Sequence, residues 1–113
     1  MQIQIQKDFD RFLMAVLTGE EFEIYSVQRD ELLIEPPTQG EHEMVIETEK
    51  RFLRYTIYVS HVLNVIFFLT GHIERKGEPR EKDIKTLKRH IGKIKEMEVY
   101  YADDSKDSKS FCG

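Results

Sequence analysis

"EMVIETEKRFLRYTIYVSHVLNVIFFLTGHIERK", residues 43–76, decides the fold, because its apolar residues fit two incompatible periods. Val45, Phe52, Val59, Ile66 and Ile73 recur every seven residues, and Tyr55, Val62 and Leu69 each follow one of them by three. Only Thr48 interrupts the second row. A seam of this kind predicts one long helix from about Glu43 to Lys76. A rival period runs through "RFLRYTIYVS", residues 51–60, where β-branched and aromatic residues are dense and Leu53, Tyr55, Ile57 and Val59 alternate as on a half-buried strand. On that alternative, residues 43–60 form two strands and the helix begins only near His61. The helix accounts for the longer pattern and is taken first.

Outward from this stretch the signals are simpler. "KDFDRFLMAVLTG", residues 7–19, places Phe9, Phe12, Leu13, Val16 and Leu17 at helical spacing, with Asp8 and Asp10 in the first turn and Gly19 past the end. Ahead of it, Ile3 and Ile5 alternate with glutamines, as a short edge strand or a lead-in would. "EEFEIYSVQRDELLIEPP", residues 20–37, alternates through Phe22, Ile24 and Ser26, pauses at Arg29 and Asp30, and resumes with Leu32, Leu33 and Ile34, which predicts a β-hairpin. On the far side, Gly77 suits a helix C-terminus and Pro79 the first turn of the next helix. That helix runs to about Tyr101, with Ile84, Leu87, Ile91 and Ile94 on one side. "ADDSKDSKSFCG", residues 102–113, is polar and reads as a disordered tail after a single domain of residues 1–101.

The fold expected is therefore α+β: an N-terminal helix, a β-hairpin, and a C-terminal antiparallel helical hairpin with a long apolar first helix. The alternative is a four-stranded antiparallel meander between an N-terminal helix and two C-terminal helices. A long apolar helix in a chain of 113 residues leaves more seam than the chain can cover, so a homodimer is expected, with Val45, Phe52, Val59, Val62, Ile66 and Leu69 at its interface.

Charge is segregated along the chain. Residues 1–49 carry a net charge of −9 and residues 75–95 a net charge of +6, within a total of −4. "REKDIKTLKRHIGKIKEM", residues 80–97, projects Lys82, Lys85, Lys88, Arg89, Lys93 and Lys95 away from the sides used by its isoleucines and leucine. Such a face suits phosphates, an acidic protein surface, or solvent alone. The expectation is a non-enzymatic regulatory or adaptor module that contacts an acidic partner, protein or nucleic acid, through this helix.

Arg54 and His61, seven apart, resemble the Arg-x4–6-His signature of HEPN-type ribonucleases. The resemblance covers these two residues only. It implies a helical dimer in which Arg54 holds an RNA phosphate and His61 handles a proton, and it requires both on one helical face. Tyr55, after Arg54, departs from the polar residue of that family.

Residues 55–71 carry no Asp, Glu, Lys or Arg, but Ser60, His61 and Asn64 within them favour a buried or paired helix over a membrane span, so no membrane insertion is expected. His61 and Asn64 would then be satisfied core groups or register-setting residues. There is no metal-ligand spacing, no Gly-rich phosphate loop and no cofactor signature. The lone Cys112 and the absence of an apolar signal core in "MQIQIQKDFD" make a reducing, cytoplasmic setting the expectation.

Overall fold

The computed structural model describes residues 1–74 and 81–112, with side chains for 1–74 and 84–102. β1 (Gln2–Ile5) leads into α1 (Lys7–Arg11), which continues as a π-helical turn over Phe12–Val16. α2 (Gly19–Ile34), β2 (Gly40–Glu47), β3 (Phe52–Ser60), β4 (Val65–Ile73) and α3 (Glu81–Cys112) follow. The sheet order is β1-β4-β3-β2, with β1 parallel to β4 and the other pairs antiparallel. The architecture is a mixed α+β fold, and Ile3 and Ile5 do lie on an edge strand.

The long helix over 43–76 does not form, nor does the helical hairpin built on it; that span holds most of β2, then β3 and β4. The end of β3 and the start of β4 are buried at consecutive positions, residues 57–60 and 66–69, so they read as apolar runs in which a seven-residue spacing appears without a helix. Val59 and Ile66, two members of that spacing, are cross-strand partners in the β3–β4 hairpin. The meander alternative comes closer, with two strands over 43–60, but it also fails: residues 20–37 hold a helix in place of its first two strands, β1 joins the sheet in parallel, and residues 65–73 are a strand rather than a helix. The turn between β3 and β4 contains His61 and Asn64, with Asn64 at a φ of 58°, a left-handed position that asparagine tolerates better than most side chains. Neither residue sets the register of a helical interface. Gly77 and Pro79 lie outside the described residues.

The expected hairpin over 20–37 is instead α2. Thr18 and Glu21 form a capping box, each side chain bonding to the other's backbone N–H, so Gly19 opens this helix rather than closing the previous one. The core-facing side of α2 is Glu21, Tyr25, Gln28 and Leu32. Two of these are polar, which erased the apolar stripe from the sequence. Glu21 is 2% exposed and receives the Arg51 guanidinium side-on, through Nε at 2.6 Å and through Nη2. Gln28 accepts from the Tyr55 hydroxyl at 2.7 Å and donates to the Val45 carbonyl at 2.7 Å.

Alternation along β3 separates two apolar layers. Leu53, Tyr55, Ile57 and Val59 face α1 and α2 and pack with Phe9, Phe12, Tyr25, Leu32 and Phe68. Phe9 is the hub of this layer, its ring 5.1–5.6 Å from those of Phe12, Tyr25, Tyr55 and Phe68. On the opposite face, Tyr58, Phe67 and Leu69 pack against Ile91 and Ile94 of α3. Phe67 and Leu69 share this face by strand alternation, and a β-bulge opposite Thr56 and Ile57 leaves Leu69 as the extra residue without a cross-strand partner.

Of the proposed dimer seam, Val59, Ile66 and Leu69 are fully buried in the chain's own layers. Val45 and Phe52 are half-buried on the sheet, and Val62 sits exposed in the β3–β4 turn. The uncovered helical seam that motivated a dimer is therefore absent from residues 43–74.

Candidate functional site

α3 is set on the sheet by a stripe at helical spacing: Leu87, Ile91, Ile94 and then Glu98. Ile84, expected on this side, is exposed, and so is Tyr101, one turn beyond Glu98. Glu98 takes its inward place through hydrogen bonds rather than apolar burial. Its carboxylate accepts from the Tyr58 hydroxyl at 2.7 Å, the Ser60 hydroxyl at 2.8 Å and Gln39 Nε2 at 2.5 Å. Burial and the neighbouring carboxylate both push the Tyr58 phenol above its ordinary pKa, so it stays a donor. Gln39 in turn accepts from the His61 backbone N–H at 2.7 Å, which ties the β3–β4 turn to the same point.

Replacing Glu98 by alanine leaves the Tyr58 and Ser60 hydroxyls without their acceptor, while Gln39 keeps a bond to the Tyr58 hydroxyl at 3.3 Å, and is expected to cost about 1–3 kcal/mol. Amide exchange in α3 should rise most beyond Ile94, while exchange in the α1–α2 layer stays unchanged. Uniform acceleration across both layers would show instead that α3 is not held separately.

With that stripe inward, Lys85, Lys88, Arg89, Lys93 and Lys95 all project into solvent. None of the five forms an ion pair with another described residue. The side chain of Lys82 lies outside the described residues. Beside the cations, Gly92 leaves a dip that Lys95, Glu96, Val99 and Tyr100 enclose as a shallow groove of about 450 Å³. Val99 and Tyr100 are 61% and 71% exposed, so the basic face ends in an apolar patch. The Gly92 dip and this patch were the features missed in the sequence; their signal was Gly92, Lys95, Glu96, Val99 and Tyr100 recurring at three and four residues.

Arg54 and His61 are not brought together. Arg54 lies within β3, and seven residues of strand span about 23 Å. Its guanidinium is held at 2.9 Å by Glu43 on one side and at 2.9 Å by Glu74 on the other. These contacts, that of Glu74 first, raise its pKa and hold it in the ladder. The His61 ring bonds to the Pro37 carbonyl at 2.8 Å. The shared helical face that the ribonuclease resemblance requires does not exist here.

Elsewhere, a cavity of about 180 Å³ lies between the sheet and α3, lined by Glu41, Glu43, Thr56, Thr70, His72, Ile84 and Leu87. Among the described residues, no group of three or more His, Cys, Asp or Glu side chains is arranged to hold a metal ion. No helix among them is long and apolar enough to cross a membrane; the uncharged stretch 55–71 is β3, its turn and β4. No protein-family model matches the chain, and no curated protein matches it.

Proposed function

We propose that the protein is a non-enzymatic binding module whose α3 presents a cationic face to an acidic partner. One observation carries the reading: Lys85, Lys88, Arg89, Lys93 and Lys95 are exposed together and unpaired among the described residues, in a chain whose net charge is −4. A protein with excess carboxylates on hand neutralises surface cations easily, and these five are left open. Fixed on a rigid stripe, they gain electrostatic attraction without ordering a flexible segment.

The test is titration of the full chain with single-stranded RNA and with polyglutamate, followed by fluorescence anisotropy at low and near-physiological salt. Binding should weaken steeply with salt. Lys85→Glu, Lys88→Glu and Arg89→Glu together should weaken it about 100-fold or more while circular dichroism stays unchanged, because three attractions become repulsions. No binding of either polymer by the wild type at low salt, or unchanged binding by the triple variant, would overturn the reading.

A further inference from the structure

An acidic helix face and a basic one lie on opposite sides of the sheet. The outward side of α2 carries Glu20, Glu23, Asp30 and Glu31, with Glu35 just past its end, all exposed. Among them stand Val27 and Ile34, 58% and 84% exposed. The only base in this helix, Arg29, leans over the Tyr25 ring and pairs with Asp30 at 3.6 Å. The outward side of α3 has the converse balance: five cations against one exposed acid, Glu96, beside a shallow groove lined by Gly92, Lys95, Glu96, Val99 and Tyr100. One surface offers acids and protruding aliphatic side chains; the other offers bases and a recess.

We propose that the acidic partner of α3 is the outer face of α2 on a second copy of this chain. The inference rests on the reading of α3 as an acid-binding face and names its partner. The two surfaces cannot meet within one molecule, because α2 packs on the Tyr55 side of the sheet and α3 on the Tyr58 side. They match in length: the 16 residues of α2 and the segment Lys85–Tyr100 each span about 24 Å. Ile34 or Val27 entering the Gly92 recess supplies apolar burial, and the opposed charges set encounter rate and orientation. The contact is heterologous, joining two different patches. Every added copy therefore leaves one α2 and one α3 free, and the assembly lengthens into rows or closes into a ring.

Sedimentation velocity of the full chain over a range of concentrations tests this. At low salt the weight-average mass should rise with concentration, and near-physiological salt should return the chain to monomer. Glu23→Lys, Glu31→Lys and Glu35→Lys together should give a monomer at low salt, as should the α3 triple reversal. A chain carrying both sets of reversals keeps the wild-type net charge and should associate again. Ile34→Ser, at a position too exposed to affect folding, should weaken association about tenfold, the equivalent of a buried side chain lost from the contact. A wild type that stays monomeric at low salt overturns the proposal, and so does association that survives the α2 reversals or is not regained in the combined chain. If that monomer still binds RNA or polyglutamate through α3, the proposed function stands and only the partner is wrong. If it binds neither, both fall.

Discussion

Arg51→Ala is expected to lower stability by about 3–5 kcal/mol, because it strands a buried carboxylate. Glu21 is almost wholly enclosed, and Arg51 supplies its side-on partner while also donating to the Val16 carbonyl. One guanidinium thus joins the end of the π-helical turn, the start of α2 and the β2–β3 connection. The melting temperature should fall by more than about 10 °C for a domain of this size. A fall of only a few degrees would mean that Glu21 finds water or protonates at little cost.

The same pair sets an acid dependence. The Arg51 hydrogen bond outweighs burial and holds the Glu21 pKa at about 2, against 4.5 for the free side chain. A folded-state pKa below the unfolded one means that the contribution is fully present above about pH 4.5 and is lost as pH falls through 2. Over that window the wild type should lose on the order of 3 kcal/mol from this group. In Arg51→Ala the partner is gone while burial remains, so this loss should shrink or reverse sign. Denaturant titrations of both proteins at pH 7 and about pH 3 measure the difference.

Gly71→Val is expected to prevent the native packing, and Gly71→Ala to cost about 1–3 kcal/mol. A Cβ at Gly71 would fall well inside contact distance of three ring atoms of Phe12. Phe12 has nowhere to retreat: it is buried, begins the π-helical turn, and its ring contacts Phe9. Trimming the ring should relieve the clash, so Gly71→Ala combined with Phe12→Leu should cost less than the sum of the two changes. Additive costs would show that the strain of Gly71→Ala is absorbed elsewhere. Chemical denaturation of the three variants gives the comparison.

These two sites also mark what the sequence made legible. The N-terminal helix and the Ile3–Ile5 edge strand follow from local periodicity, and so does the inward Leu87–Ile91–Ile94 stripe of α3. The basic face was visible for the same reason, since surface charge needs no knowledge of the fold. α2 was hidden because its inward positions are partly polar. Glu21 depends on Arg51 and Gln28 on Tyr55, partners roughly thirty residues away whose proximity only the fold supplies. The capping box at Thr18-Gly19-Glu20-Glu21 was the local clue. β3 was legible in the alternation of Leu53, Tyr55, Ile57 and Val59 but was outweighed by the seven-residue spacing, whereas β4 was hidden because helices cover both faces of Ile66–Leu69, so the two-residue alternation of a half-buried strand is overwritten there. Gly71, inside that run, carried no sequence signal of its close contact with Phe12.

The two rims of the sheet bear on how copies can meet. Strand rims are templates for adding another chain's strand, and proteins blunt them with short strands and charge. One rim here is β1, four residues long. The other is β2, where Glu41, Glu43 and Glu47 are all exposed along eight residues. Two copies approaching rim to rim would set carboxylates against carboxylates, or find too few backbone groups to pair. Fibril-like growth by strand addition is thereby discouraged, and neighbouring molecules are left to approach through their helices.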